Sequence, residues 1–394
     1  MHLLYNISIL LYNLGIRVAS LFNSKAKLWI KGRKSVFQKL QLATQGHTNI
    51  AWFHCASLGE FEQGLPIIKG YKKKYPTHKI LLTFFSSSGY EIRKDSNIAD
   101  WVFYLPADTK ANAKKFICIV KPIKVFFVKY EFWFNYIMEC KKQNIPFYAV
   151  SSIFRKEQIF FKNKWFARQL KNVTHFFVQD KISAELLKDI GVNNLTISGD
   201  SRFDSVKESE KNKKSFPLIE VFTKNKNTII CGSTWPKDEE LITKVTKENQ
   251  QFNYIIAPHE LNNLSQLQKS TNGLLFSKAN DQNINNSDVL IIDSIGLLAS
   301  IYRYGKIAYI GGGFGVGIHN ILEAVTFGLP VIFGPNYRKS NEANELVKLG
   351  LAKNINNYQD LKTAINSLTN FETSIAKRYI DEKSGATDII LNLL

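Results

Sequence analysis

Cysteine is scarce in this chain of 394 residues. Cys55, Cys118, Cys140 and Cys231 lie far apart, with no C-x-x-C pair. That excludes a disulfide framework and a zinc ribbon, and it fits a reducing compartment. Acid is missing from one end: no Asp or Glu precedes Glu60. No uncharged apolar run near the N-terminus reaches the ~20 residues that a bilayer-spanning helix needs. Solenoid periods and low-complexity tracts are absent as well. Apolar residues make up 45% and charged residues 22%, which excludes wholesale disorder. The length suits two domains, each able to bury a core without staples.

What is abundant is positive charge. Fifty-two Lys and Arg against 33 Asp and Glu give a net charge of +19. Such a surface suits an anionic partner: nucleic acid, anionic lipid or a phosphorylated substrate. The acid-free N-terminus carries Arg17, Lys25, Lys27, Lys31, Arg33, Lys34 and Lys39. Ahead of most of them, Leu3, Leu4, Ile7, Leu10, Leu11, Leu14 and Val18 recur at spacings of three and four, an apolar helical face. The basic residues follow the apolar part and no A-x-A-like site comes after it, unlike a signal peptide. Two readings stand. The helix lies in the cytoplasmic leaflet, held by the basic segment, or it packs on the protein's own core.

From residue 50 short apolar runs alternate with helical patterns. Strands are expected at 50–55, 79–85, 101–104, 123–128, 146–150, 174–178 and 195–198, with helices between them, as at 62–74 and 132–143. Residues 207–214 read as a solvated linker, after which strands are expected at 227–231, 253–257, 288–292, 306–310 and 330–333. The pattern implies an α/β architecture of two doubly wound, Rossmann-like domains facing a central cleft. The expected segments are an anchoring helix and basic stretch (1–40), a first domain (41–206), the linker (207–214), and a second domain with closing C-terminal helices (215–394). Ligands of such sheets bind at the carboxyl ends of the strands.

The strand-end loops therefore hold the candidate chemistry. The first strand runs into His54-Cys55-Ala56-Ser57-Leu58-Gly59-Glu60. Glu60 falls where a helix begins, as a cap partner or as a general base. Glu131 directly follows the fourth strand in Lys129-Tyr130-Glu131-Phe132-Trp133, on a neighbouring rim. Gly199-Asp200-Ser201-Arg202-Phe203-Asp204 suits a local salt-bridge turn. Cys231-Gly232-Ser233-Thr234-Trp235-Pro236 allows close backbone approach, with Pro236 at a first helical position. Gly311-Gly312-Gly313-Phe314-Gly315-Val316-Gly317 packs five glycines into seven residues between a strand and a helix. Backbone N–H groups and a helix N-terminus are the expected anion holders there. No G-K-[ST] follows, so this is not a Walker A loop, and G-x-G-x-x-G spacing is absent. Glu323 is expected one turn beyond His319 on the same helix, able to accept both hydroxyls of a ribose.

These segments, in this order, resemble the Kdo transferases, glycosyltransferases of GT-B fold that move 3-deoxy-D-manno-oct-2-ulosonic acid (Kdo) from CMP-Kdo onto lipid A precursors. The resemblance runs nearly end to end. It is carried by Trp52-Phe53-His54-Cys55-Ala56-Ser57-Leu58-Gly59-Glu60-Phe61-Glu62-Gln63-Gly64, Glu131-Phe132-Trp133, Gly199-Asp200-Ser201-Arg202-Phe203-Asp204, Gly232-Ser233-Thr234 and His319-Asn320-Ile321-Leu322-Glu323. It implies Glu60 as the base that deprotonates the acceptor hydroxyl, and Glu131 as a second acidic residue needed for activity. It implies a donor site of Ser57, Gly59, Gly232, Ser233, Thr234, His259, Gly312, Gly313, Gly315, Gly317, His319, Asn320 and Glu323. Two departures stand out. Ile318 and Ile321 flank His319-Asn320 where the family has Gly and Pro. Pro258-His259-Glu260 replaces Pro-Arg-His, so His259, Lys278 or a neighbouring lysine is expected to take the arginine's place.

The reaction so implied is inverting and metal-independent, with no cofactor, and domain closure assembles the site. The acceptor, a phosphorylated lipid, and anionic inner-membrane lipid are the implied partners at the cytoplasmic face; nucleic acid is not. Residues 153–172 mix Phe154, Phe160, Phe161, Trp165 and Phe166 with Arg155, Lys156, Lys162, Lys164, Arg168 and Lys171. Arg155, Lys156, Lys162, Lys164, Trp165 and Arg168 are candidate acceptor or membrane contacts, and a core helix with a solvated basic face is the competing reading. A nucleotide-sugar epimerase shares the architecture, as does a catalytically silent membrane scaffold.

Overall fold

The computed structural model describes residues 1–129, 131–211 and 214–394. Tyr130, in the expected rim segment, and Asn212 and Lys213, in the expected linker, lie outside the described residues. The chain divides into two compact units, residues 1–205 with 384–394, and residues 206–383.

The first unit is built on seven parallel strands: β1 (Ile50–Cys55), β2 (Lys79–Phe84), β3 (Trp101–Tyr104), β4 (Lys124–Val128), β5 (Phe147–Ser152), β6 (His175–Val178) and β7 (Leu195–Ile197). Their order is β3-β2-β1-β4-β5-β6-β7. Every residue of β1 is buried, as expected for a parallel strand covered on both faces. Alternate residues serve the two faces. Trp52 joins Leu81, Val125 and Phe127 in one core, while Ala51, Phe53 and Cys55 join Phe126 and Val128 in the other.

Three helices precede the sheet: α1 (His2–Ala19), α2 (Ser24–Arg33) and α3 (Val36–Thr44). Asn23 caps α2 by accepting from the N–H groups of Lys25 and Ala26. Val36 and Leu40 of α3 belong to the core beside Trp52, so residues 36–40 are part of the first domain rather than of an anchor. Helix α1 is turned the other way from a core helix. Leu3 is 72% exposed and Leu11 62%, and Leu4, Ile7, Leu10, Leu14 and Val18 are exposed too. The opposite side holds it down. His2 and Asn6 bond to Asn135, the Tyr5 hydroxyl bonds to Asp108, and Tyr12 stacks on Phe85. The apolar face is thus not the packed face.

The chain end also belongs here, not with the second domain as expected. In the Ala386–Asn392 helix, Ile390 and Leu391 enter the core formed by Ile67, Ile68 and Tyr71 of α4 (Leu58–Lys74). Asp204 accepts from the N–H groups of Gly385 and Thr387 at 2.6 and 2.7 Å. Gly70 makes room, since a Cβ there would lie 2.5 Å from Leu391 Cδ1.

The second unit repeats the plan: β8 (Thr228–Thr234), β9 (Asn253–Pro258), β10 (Leu274–Leu275), β11 (Val289–Ile291), β12 (Ile307–Ile310), β13 (Val331–Phe333) and β14 (Ala352–Asn354). The order is β10-β11-β9-β8-β12-β13-β14, all parallel. The expected linker is not extended over its first residues, because the Arg202–Lys211 helix runs through them. Its polar composition suits an exposed helix as well as a loop.

Candidate functional site

The strand order reverses between β1 and β4 in the first unit and between β8 and β12 in the second. A crevice opens at the carboxyl ends of the strands at such a switch point. The residues that follow these four strands are the ones the sequence singled out.

Ser57 sits in extended conformation just before α4, and its hydroxyl donates to Glu60 Oε2. Ser57, the residue before the helix, makes no side-chain bond to a helix N–H. Among the described residues the Glu60 carboxylate is bonded to the Ser57 hydroxyl and to no backbone N–H. It is a partly exposed carboxylate in the first helical turn, where the helix dipole favours negative charge. Gly64 lets α4 lie close on the sheet: a Cβ there would stand 2.9 Å from Val128 Cγ2 and 3.3 Å from Cys55 Sγ.

Glu131 is held by groups that sequence reading gave no role. His54, fully buried in β1, lies 3.1 Å from Glu131 Oε2 through Nε2, and the Trp133 indole N–H donates to the same oxygen at 3.0 Å. Thr83 completes the chain, 2.9 Å from His54 Nδ1 while accepting from Trp52 Nε1 at 2.8 Å. Nδ1 also lies 3.1 Å from the Thr83 carbonyl oxygen, and the Thr83 hydroxyl reaches the Phe53 carbonyl at 3.4 Å. With Nε2 protonated, His54 donates to the carboxylate. His54 is legible in retrospect as the one imidazole in the otherwise apolar run Ile50-Ala51-Trp52-Phe53-His54-Cys55. Burial first, then the charges of Glu60, Glu131 and Glu62, push the Cys55 thiol well above its ordinary range. Cys55 is thus an inert core thiol, and both candidate carboxylates act on it from the end of β1.

Arg33 closes α2 behind this group. Its guanidinium donates to the carbonyls of Leu105, Phe85 and Trp29 and lies 3.6 Å over the Trp29 ring. Burial pulls its pKa down to about 9, so it stays charged at neutral pH. Phe85 in turn packs on Trp133 with centroids 4.8 Å apart.

The 199–204 segment is structural. Arg202 grips Asp200 Oδ2 through Nε and Nη2 at 2.9 and 2.7 Å, and Asp204 ties down the chain end. In 153–172 the two residue types separate. Phe154 is buried and Phe160, Phe161, Trp165 and Phe166 pack on the core, with Trp165 against His2 and Tyr5 of α1. Arg155, Lys156, Lys162, Lys164 and Arg168 are exposed.

At the second switch point, the glycines are explained by close approach. A Cβ on Gly311 would lie 2.1 Å from the Ser233 carbonyl oxygen, and one on Gly313 would lie 2.5 Å from Gly334 N. Gly312 and Gly317 adopt φ of +89° and +149°. Ser233 itself takes a left-handed φ of 53°. Gly232 faces Tyr302, whose hydroxyl lies 2.0 Å from where a Cβ would be. The loop is organised by Asp238, which sequence reading missed. This buried carboxylate accepts from Gly312 N at 3.0 Å, Trp235 N at 2.9 Å and the Tyr309 hydroxyl at 2.7 Å. Gly312 N–H is therefore already occupied, contrary to the expectation of a loop of exposed donors. The signal was there: Asp238 stands three residues after Trp235, the spacing of an N-terminal capping interaction on the Pro236–Glu248 helix.

Three rings gather beside the loop. His259 stacks on both Trp235 (4.7 Å) and His319 (4.4 Å), whose planes differ by 7° and which meet edge to edge, Trp235 Nε1 donating to His319 Nε2 at 3.0 Å. Burial, and then the neighbouring His259, lower the His319 pKa, consistent with an imidazole that accepts at Nε2. His319 is not on a helix with Glu323, as was expected. The helix after the loop starts only at Leu322 and has four residues. Asn320 starts it by accepting from Leu322 N at 3.1 Å, and its amide donates to Glu323 Oε1 at 3.0 Å. Asn320 and Glu323 are thus paired by contact rather than by helical spacing.

Residues 32–205 match the family model for 3-deoxy-D-manno-octulosonic-acid transferase (kdotransferase). The chain is 30% identical over 342 residues to the 3-deoxy-D-manno-octulosonic acid transferase of Aquifex aeolicus (strain VF5), covering 84% of this chain and 89% of that protein. Among solved structures, a glycosyltransferase from Rickettsia africae superposes with a TM-score of 0.56 at 12% identity, covering 88% of this chain and 98% of the other. A UDP-N-acetylglucosamine 2-epimerase from Rickettsia bellii gives 0.54 at 12% identity, covering 88% and 96%. Those likenesses establish the GT-B fold and do not separate transferase from epimerase. The Aquifex relative does: the chain belongs to the 3-deoxy-D-manno-octulosonic acid transferase family.

Proposed function

We propose that the protein transfers Kdo from CMP-Kdo to a lipid A precursor in lipopolysaccharide synthesis, with inversion, at the cytoplasmic face of the inner membrane. The observation that carries this reading is the Glu60 carboxylate, tied to Ser57 at the β1/β4 switch point. With Oε2 held by Ser57, Oε1 is the oxygen left to take a proton. The acceptor hydroxyl oxygen attacks the anomeric carbon of Kdo from the face opposite CMP. Its proton passes to Glu60 as the new C–O bond forms. The bond between the anomeric carbon and the phosphate oxygen breaks, and CMP leaves with the electron pair. The hydroxyl must come within about 2.6–3.2 Å of the base. Glu131, fixed by His54 and Trp133, positions the acceptor.

The donor is assigned to the second unit. Ser233 and the 311–317 loop take the phosphate, the Trp235–His259–His319 cluster flanks the nucleotide, and the Asn320–Glu323 pair takes the ribose. His259 is the replacement for the family's arginine. The exposed apolar face of α1 supports membrane association, with the basic residues of 17–39 close behind it. Among the described residues no single helix is long and apolar enough to cross a membrane; α1 and α2, bent by 119°, pass that test only as a pair. Incubation with CMP-Kdo and a tetra-acylated lipid A precursor, read by mass spectrometry, tests the reading. A gain of one or more Kdo units with release of CMP is expected. Turnover of UDP-N-acetylglucosamine without any Kdo transfer would replace it with the epimerase.

A further inference from the structure

A cavity of about 960 Å³ opens in the first unit between α1, α2 and the Lys110–Val120 helix, and none of the residues assigned above to Kdo transfer lines it. Its lining has one sign of charge. Arg17, Lys31, Arg33, Lys34 and Lys115 contribute to it, and among the described residues no Asp or Glu does. None of the basic residues in 153–172 is part of it. The rest of the lining is largely apolar. Leu10 and Leu14 enter it from α1, the same residues that stand exposed on the outward face of that helix. The cavity is thus continuous with the surface proposed to meet the bilayer. Trp29, only 8% exposed, lines it as well, and its indole N–H has no hydrogen-bond partner among the described residues. A buried donor without an acceptor is rare in a folded protein, and it marks a place where an acceptor belongs.

We propose that this cavity binds one anionic phospholipid of the bilayer, as a site separate from the transfer reaction. The phosphodiester takes the cationic rim and accepts from the Trp29 indole, and an acyl chain runs along Leu10 and Leu14 into the leaflet. The charge complement selects an anionic headgroup over a zwitterionic one. The apolar wall selects a lipid over free phosphate. The bound lipid joins α1 and α2 to the membrane at a defined depth, which the basic segment alone does not do.

The test is an NMR titration of the full chain labelled with ¹⁵N at tryptophan, whose six indole signals are countable. Trp29→Phe identifies the signal of Trp29. Dihexanoyl-phosphatidylglycerol, kept below its micelle concentration, is expected to shift that signal saturably, leaving the other signals largely in place. Dihexanoyl-phosphatidylcholine and inorganic phosphate are expected to leave it unmoved. Lys31→Gln and Lys115→Gln are each expected to weaken the response about fivefold, the ordinary contribution of one basic residue near an anionic lipid. Both variants are expected to retain Kdo transfer in detergent. An equal shift with phosphatidylcholine or with inorganic phosphate would overturn the proposal. So would an undiminished response in both variants, or displacement of phosphatidylglycerol by the lipid A precursor at comparable affinity, which would make the cavity an acceptor subsite. Loss of lipid binding with transfer intact, or the reverse, separates this site from the transferase reading.

Discussion

Asp108 is the group whose perturbation the structure specifies most closely. It is 2% exposed, and its carboxylate accepts from the Tyr5 hydroxyl, Asn135 N and Tyr136 N. It therefore fastens α1, through Tyr5, to the start of the Phe134–Lys142 helix. Burial outweighs those hydrogen bonds and pushes its carboxyl from 3.8 up to about 6. The sign follows by linkage. Between the two values the folded chain holds a proton that the unfolded chain has released, so the contribution of this group is full below pH 4 and is lost as pH rises through about 6. A shift of that size corresponds to about 3 kcal/mol. Asp108→Asn removes the titration and leaves at least one backbone N–H short of a good acceptor, a pH-independent cost of about 1–3 kcal/mol. Thermal unfolding of the full chain, wild type against variant, should be followed from pH 4 to pH 7.5. The variant should be the less stable at pH 4 and should recover relative to wild type as pH rises, by up to that amount. A stability difference that does not change over this range would refute the assignment of a raised carboxyl.

Three further outcomes follow from the packing. Gly70→Leu puts a side chain where Leu391 Cδ1 already lies, and it should destabilise by about 1–3 kcal/mol and expose the chain end to carboxypeptidase. Asp238→Ala strips the acceptor from Gly312 N, Trp235 N and Tyr309, and it should raise the KM for CMP-Kdo well above any change in the KM for the acceptor. His54→Phe keeps the β1 core filled but leaves Glu131 held by Trp133 alone, so kcat should fall by about ten- to hundredfold while the unfolding temperature moves little. Because His54 acts through Glu131, Glu131→Gln combined with His54→Phe should cost no more than Glu131→Gln alone.

Twelve of the fourteen strands are legible as short apolar runs, because a parallel strand buried on both faces needs little else. Leu274–Leu275 is too short to register, and Ala352–Asn354 is an edge strand whose Lys353 and Asn354 face solvent. Glu60 and Glu131 are legible from their place after strands, but what holds them is not. His54 meets Glu131 across 77 residues, and Tyr5 meets Asp108 across 103. No local pattern encodes such pairings. The apolar spacing of α1 reads the same whether that face meets a core or stands exposed; the structure leaves it exposed, the placement that the membrane-facing reading expects. The chain end escaped because Ile390 and Leu391 look like any closing helix, and their docking site on α4 is set by Gly70, more than 300 residues earlier.

The central claim is that Glu60 accepts the proton of the attacking hydroxyl. Single-turnover transfer of Kdo by Glu60→Gln, beside wild type and with circular dichroism and unfolding temperature matched, tests it most directly. The carboxamide keeps the bond to Ser57 but cannot take a proton, so the rate should fall by about 10²–10⁴-fold while CMP-Kdo still binds. Transfer at the wild-type rate by the folded variant would contradict the account and place the base elsewhere.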